Sequence, residues 1–309
     1  MIILNTKSAF ISIIGRPNVG KSSLLNRIVK QKISIVSDKP QTTRTKINGV
    51  LNLGETQVVF IDTPGFHKPK NLLGKSMIKS IGEGMSEVDA VVLVVEAKTD
   101  FKLQNGEIPK AEEELILKFA NKNVKKVLVI NKIDLLADKS DLLLVIEKYS
   151  QFCNFDEVVP VSAKSGEGVD VLKGICVSYA KESVHYFDGM STTDQPERFI
   201  VAELIREKVL RLLDKEVPHG TAVDLERFFE RDLKDGEPIL EVEAVIYCEK
   251  DSHKGIIIGK NGSMLKKIGS LARKDIEDFF GIKANVKIWV KTKEDWRNRQ
   301  GLIHTFGLD

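Results

Sequence analysis

The sequence contains no apolar run approaching the roughly 18 residues that cross a bilayer, so a helical membrane span is not expected. Its first residues, Met1-Ile2-Ile3-Leu4-Asn5-Thr6-Lys7, lack a basic n-region and are too short for a secretory h-region. It has only three cysteines, Cys153, Cys176 and Cys248, widely separated and never in CxxC spacing. Such a set excludes a disulfide framework and reads as reduced thiols, which makes the cytoplasm the expected compartment. The histidines, His67, His185, His219, His253 and His304, are scattered and gather no Cys/His metal cluster and no Ser/His/Asp triad. There is no internal repeat and no low-complexity tract.

A length of 309 residues predicts two domains, each able to bury its own core. The net charge of +3 hides an asymmetry: residues 252–309 carry twelve Lys/Arg against six Asp/Glu, a local +6, leaving −3 on the remainder. A basic end on a mildly acidic body suits a polyanion-binding appendage, although a solvated charged face gives the same count.

The strongest local signal is Gly15-Arg16-Pro17-Asn18-Val19-Gly20-Lys21-Ser22, between the apolar run Phe10 to Ile14 and the helically periodic Ser23-Leu24-Leu25-Asn26-Arg27-Ile28-Val29. A strand, a tight loop and a helix N-terminus in that order aim backbone N–H groups at one concavity and form a phosphate cradle. Lys21 is expected to reach the β- and γ-phosphates and Ser22 to ligate Mg²⁺. Four more motifs follow, each at the end of an apolar strand. Asp62-Thr63-Pro64-Gly65 supplies a carboxylate to hold Mg²⁺ through water and a Gly65 N–H for the γ-phosphate. The aperiodic, Thr-rich stretch Asp38 to Thr45 reads as a mobile loop whose Thr43, with Thr42 as the alternative, completes the Mg²⁺ shell. Asn131-Lys132-Ile133-Asp134 reads the base: a carboxylate at 134 accepts from N1–H and the 2-amino group of guanine, donors that adenine lacks. Asn131 is expected to tie that loop to the phosphate loop and the Lys132 stem to cover the base. In Ser162-Ala163-Lys164 the Ala163 N–H is expected to meet guanine O6. The nucleotide is therefore GTP, with GDP as product. Where many small GTPases carry a water-orienting Gln after the DxxG glycine, this chain has Phe66, which predicts slow intrinsic hydrolysis. Asn18 either helps hold a monovalent cation such as K⁺ against the phosphates or only stabilises the loop. The catalytic candidates are thus Lys21, Thr43, Gly65 and Asn18.

Strands alternate with helices through this half, predicting a doubly wound α/β P-loop domain over residues 1–182. A polar linker follows over 183–197, then a smaller α+β domain over 198–309. The second half reads helix (Glu197 to Leu213), strand (Thr221 to Phe228), strand (Ile239 to Glu249), helical stretch (Lys254 to Phe280) and strand (Lys283 to Val290). Within it, Gly259-Lys260-Asn261-Gly262 interrupts the helical stretch after Ile256, Ile257 and Ile258, with no acid from Lys254 to Lys274. A GxxG turn between helices lets a single-stranded backbone approach, and Lys254, Lys260, Lys266 and Lys267 attract its phosphates. This is the pattern of a type II KH RNA-binding domain, with Ile258 as an apolar contact.

A GTP switch followed by a KH module resembles the Era GTPases of bacteria and their organelles. The resemblance spans the chain, from the phosphate loop through Gln41-Thr42-Thr43-Arg44, Asp62 to Gly65 and Asn131 to Asp134, then Ala202 to Lys208, to Ile258 to Gly262 and Trp289-Val290-Lys291. Ser23 stands where Thr is common, a conservative departure. The resemblance implies a GTPase that binds the 3′ end of 16S ribosomal RNA and acts in maturation of the 30S subunit. It also implies loose association with the inner face of the cell membrane. A monomer is expected. Two other readings remain open from the residues: a nucleotide-gated RNA scaffold with negligible turnover, and a related GTPase acting on transfer RNA or the large subunit.

Overall fold

In a computed structural model, residues 6–66, 69, 71–97, 107–136, 138 and 141–308 are described. His67 and residues 101–106 of the 101–110 loop lie outside that set. The chain divides into two compact units: residues 1–34, 43–68 and 77–194 form the first, and 35–42, 69–76 and 195–309 the second.

The first unit is built on β1 (Lys7–Ile14), α1 (Lys21–Val29), β2 (Ile47–Leu53), β3 (Thr56–Asp62), residues 77–84 of α2 (Leu72–Gly84), β4 (Ala90–Glu96) and α3 (Lys110–Phe119). It continues with β5 (Lys125–Asn131), α4 (Asp141–Ser150), β6 (Glu157–Pro160), α5 (Val169–Ser178) and the short β7 (Lys181–Glu182). Its sheet runs β2-β3-β1-β4-β5-β6, parallel except that β2 pairs antiparallel with β3, and β7 pairs antiparallel with β1. Strand β4 is buried along all but its last residue, as expected of a strand covered on both faces. On one face Ile81, Leu115, Phe119, Val145 and Tyr149 pack against Val91, Leu93 and Leu128. Strand order reverses around β1, between β3 and β4, which is where open α/β sheets bind ligands beyond their strand C-termini.

Residues 183–194, expected as linker, lie along this unit. Ser183 N–H donates to the Thr6 carbonyl (3.0 Å), and Gln57 Oε1 accepts Tyr186 N–H (2.8 Å) and Phe187 N–H (3.0 Å). The last change of unit along the chain falls at 194/195. Strand β2, unannounced by its sequence, is an edge strand.

The second unit holds α6 (Glu197–Leu212), β8 (Ala222–Asp232), β9 (Pro238–Cys248), α7 (Asp251–Ile258), α8 (Ser263–Phe280), β10 (Lys283–Thr292) and α9 (Gln300–Thr305). Its sheet runs β10-β9-β8, with β9 antiparallel to β8 and parallel to β10. Ile200, Leu204, Ile205, Ile257, Ile268, Ala272 and Ile276 from the helices pack against Val242, Ala244 and Ile246 of the sheet. The α-β-β-α-α-β order is that of a type II KH domain.

Helix α6 is buried continuously from Leu204 to Leu210, including the consecutive charges Arg206, Glu207 and Lys208, while Glu197, Arg198 and Arg211 are exposed. Buried ions persist only with partners, and these have them: Lys208 Nζ donates to Glu207 (2.7 Å) and to Asp275, and Arg206 Nε to Glu203 (2.6 Å). The 35–42 segment groups with this unit because the same helix holds its backbone. Glu207 accepts the Val36 N–H (2.9 Å), Arg211 Nε donates to the Val36 carbonyl (3.1 Å), and Arg206 donates to the Thr42 carbonyl.

Candidate functional site

The loop expected to cradle phosphate leaves β1 at Gly15 and enters α1 at Lys21. At Gly20 the backbone is left-handed (φ 96°) and a Cβ would lie 2.2 Å from Asn131 Nδ2, so only glycine fits. Asn18 is exposed at the loop tip, also left-handed (φ 65°). Lys21 is buried, and its ammonium donates to the carbonyls of Gly15 (3.1 Å) and Arg16 (3.0 Å). Burial lowers Lys21 to about 8, with Asp62 opposing the shift. Ser23, the third residue of α1, is half-buried.

Asp62 ends β3 fully buried. Its Oδ2 accepts the hydroxyls of Ser22 (2.6 Å) and Ser34 (3.2 Å), and the Ser22 hydroxyl lies 2.9 Å from that of Thr43. Asp62 Oδ1 is buried with no hydrogen-bond partner, and burial pushes the carboxyl up against the pull of Lys21. Two hydroxyls around a carboxylate with an oxygen to spare are the hard oxygen donors that Mg²⁺ takes. The residues present therefore fit that ion. Of the two threonines, Thr43 stands beside Ser22, whereas the Thr42 hydroxyl donates to the Lys39 carbonyl (2.6 Å).

Thr63 anchors the next turn by donating to the Ile13 carbonyl (2.9 Å); Pro64 is buried, and Gly65 lies so close to Pro17 that a Cβ would come within 2.7 Å of its Cα. Phe66 turns into the core, and Lys118 Nζ lies 4.3 Å from its ring centroid. A buried aromatic ring at this position cannot orient a water.

The loops expected to read the base converge on Asn131. Its Nδ2 donates to the Val19 carbonyl (2.8 Å), and its Oδ1 accepts the Ala163 N–H (3.0 Å). The N–H expected at guanine O6 is thus already engaged, and a guanine contact from it would share that proton with Asn131. Asp134 is exposed and accepts the Ser162 hydroxyl (2.7 Å); Lys132 pairs with Glu96 (3.1 Å); Lys164 is exposed. Sequence reasoning missed Glu96 and also Arg27, whose guanidinium donates to the carbonyls of Ala163 (3.2 Å) and Lys164. Neither belongs to a motif, and each finds its partner far along the chain.

In the second unit, α7 and α8 meet at the Gly259 to Gly262 turn, where Gly259 (φ 73°), Asn261 (φ 52°) and Gly262 (φ 74°) are left-handed. Lys260, Asn261, Lys266 and Lys267 are exposed; Lys254 and Ile258 are half-buried, Ile258 against the core. Beside the turn a cleft of about 330 Å³ is lined by Gly262, Lys266, Gly269, Arg273 and Asn285 among others. Sequence reasoning missed Arg273 and Asn285; the seven-residue spacing of Lys266 and Arg273, two helical turns, is the available signal.

Residues 10–132 match the family model described as a 50S ribosome-binding GTPase, and residues 216–297 match a KH domain. The chain is 48% identical over 303 residues to a GTPase Era of Clostridioides difficile, covering 98% of this chain and 99% of the relative. It is 46% identical to that of Ruminiclostridium cellulolyticum, covering 98% of each. Among solved structures it superposes, with a TM-score of 0.90, 33% identity and coverage of 98% and 99%, on an Era in complex with MgGDPNP and nucleotides 1506–1542 of 16S ribosomal RNA. A point variant of Aquifex aeolicus Era bound to GDP·AlF4⁻ gives 0.89 at 34% identity, with the same coverage. Among the described residues, no helix is long and apolar enough to cross a membrane.

Proposed function

The chain belongs to the Era GTPase family, and from that premise we propose that it hydrolyses GTP at the Gly15 to Ser22 loop and binds the 3′ end of 16S ribosomal RNA through its KH domain during 30S assembly. The observation that supports this most is the convergence of Lys21, Ser22, Thr43 and Asp62 beyond the ends of β1 and β3, in a chain that also presents the Gly259 to Gly262 turn.

On GTP binding, Lys21 exchanges the Gly15 and Arg16 carbonyls for the β- and γ-phosphate oxygens, and loop N–H groups take the remaining phosphate oxygens. Ser22 and Thr43 offer hydroxyls to Mg²⁺, with Asp62 behind them; the ion, when bound, offsets negative charge on the transferring phosphoryl group. The Gly65 N–H meets the γ-phosphate, so Thr43 and Gly65 respond to its loss. Asp134 accepts the two guanine donors, and Asn131 holds its loop against the phosphate loop. With the Phe66 ring in the core, position 66 offers no group to orient water, and turnover is slow. We infer that Asn18, exposed at the loop tip, helps hold K⁺, which would supply positive charge from outside the chain.

RNA lies over Gly259 to Gly262, with Lys260, Lys266 and Lys267 on its phosphates and bases over Ile258 and the adjoining cleft. A GTP-dependent grip on RNA is the cycle we infer for the two units, with hydrolysis resetting it. The protein acts as a cytoplasmic monomer, with peripheral membrane association carried by family likeness alone. The test is phosphate release with and without K⁺ and a 16S 3′-end oligonucleotide, alongside RNA affinity with GDP and with a non-hydrolysable GTP analogue. Acceleration by either addition and nucleotide-dependent RNA affinity are expected. RNA that neither binds nor alters turnover would overturn the reading.

A further inference from the structure

One buried carboxylate in the first unit is used by none of this chemistry. Glu112 lies in the first turn of α3, where an acid is ordinarily solvated and serves the helix dipole, yet it is fully buried. Its Oε1 accepts Arg16 Nε at 2.5 Å, and its Oε2 accepts the hydroxyl of Tyr149 from α4, also fully buried. Burial pushes the Glu112 carboxyl up, and Arg16 and Tyr149 pull against it.

The far end of this chain of contacts is the phosphate loop. While the Arg16 guanidinium is held by α3, the Arg16 carbonyl accepts Lys21 Nζ at 3.0 Å, and the neighbouring Gly15 carbonyl accepts both Lys21 Nζ (3.1 Å) and the Phe66 N–H (3.2 Å). Fixing one side chain therefore fixes the two peptides that set the position of Lys21. A phosphate loop offers its ligand backbone groups, and the affinity of such a cradle depends on those groups being held before the ligand arrives.

We propose that Glu112, itself held by Tyr149, is a positioning residue for the nucleotide site: it anchors Arg16 so that the first turn of the loop keeps the conformation that receives the β- and γ-phosphates. The inference rests on reading Gly15 to Ser22 as the phosphate loop. It departs from a purely stabilising role, because a buried ion pair can be replaced by apolar residues of similar volume without loss of stability. An apolar pair can fill the space, but it does not direct the Arg16 peptide.

The experiment measures release of a fluorescent GDP analogue and steady-state GTP hydrolysis for the wild type, Glu112→Gln, Tyr149→Phe and the double variant Arg16→Met/Glu112→Met. Glu112→Gln is expected to release GDP about 10- to 100-fold faster, the loss of one charge-assisted hydrogen bond. KM should rise by a similar factor while kcat moves little, since the contact is made equally in ground and transition states. Tyr149→Phe should give a smaller rise of about 3- to 10-fold. The double variant should keep a melting temperature near that of the wild type yet release GDP as fast as Glu112→Gln. Unchanged release in Glu112→Gln and Tyr149→Phe would overturn the proposal. So would a double variant that regains wild-type release together with its stability. Should Glu112→Gln not fold, Tyr149→Phe and the double variant carry the same decision. A wild type that retained no guanine nucleotide would overturn the phosphate-loop reading itself, before any variant is compared.

Discussion

Replacing Asn131 with Ala probes the point where three loops meet. The side chain is buried; it donates to the Val19 carbonyl at 2.8 Å and accepts the Ala163 N–H at 3.0 Å. The substitution leaves one carbonyl and one N–H without partners away from water, at a cost of about 1–2 kcal/mol each and about 2–4 kcal/mol together. Expressed wholly in nucleotide release, that sum is about 30- to 1000-fold. Expressed wholly in folding, it lowers the melting temperature by about 4–16 °C for a unit of this size. In the proposed reading the nucleotide spans the phosphate loop and the base loops, so a large share should fall on release. Stopped-flow release of a fluorescent GDP analogue and a thermal melt without nucleotide apportion the two. Release at least about tenfold faster, with the guanine preference retained through Asp134, is expected. Release within about threefold of wild type, with the melting temperature within about 1 °C, would refute the claim that Asn131 joins these loops.

Asp134→Asn removes the acceptor for both guanine donors while keeping a side chain that Ser162 can reach; GDP affinity should fall by about 10³- to 10⁴-fold. Xanthine nucleotides, whose O2 accepts from the new amide, should bind better than guanine ones in a competition assay. Lys260→Glu places an acid on the exposed turn and should weaken binding of a 16S 3′-end oligonucleotide about tenfold at low salt. It should also flatten the salt dependence by about one counterion and leave GTP turnover without RNA unchanged. Burial raises the thiols of Cys153, Cys176 and Cys248, Cys176 to about 12. Raised thiols remain protonated and unreactive until the pH approaches the shifted value. At about pH 8, below the ordinary thiol value, a disulfide reagent should therefore label none of the three in the folded protein and all three in denaturant.

The parts of the fold that could be read from sequence are those where one physical signal dominates. Strands β1, β3, β4 and β5 are near-continuous apolar runs, and each of β1, β3 and β5 delivers a polar motif at its C-terminal end, so strand and site announce one another. Strand β2 is hidden because Asn48, Gly49 and Asn52 break its apolar pattern, and at a sheet edge nothing requires one. Helix α2 is hidden because Gly74, Gly82 and Gly84 lower its intrinsic propensity; packing of Leu73, Met77 and Ile81 forms it instead. Helix α7 begins at Asp251, before the expected Lys254, with the acid suited to its first turn. The 35–42 segment reads as a loop of the first domain because its anchors, Arg206, Glu207 and Arg211, lie far along the chain, Arg206 being 164 residues beyond Thr42. Glu112 and Tyr149 are unreadable for the same reason: an acid early in a helix and a lone tyrosine carry no local sign of an arginine 96 residues before the acid.

The central claim is that Asp134 and Lys21 hold opposite ends of one guanine nucleotide. Its most direct test is equilibrium competition of GDP and ADP, each with Mg²⁺, for the nucleotide-free protein. GDP should displace a fluorescent guanine nucleotide at concentrations at least about 10³-fold below those of ADP; comparable displacement by the two would contradict the account.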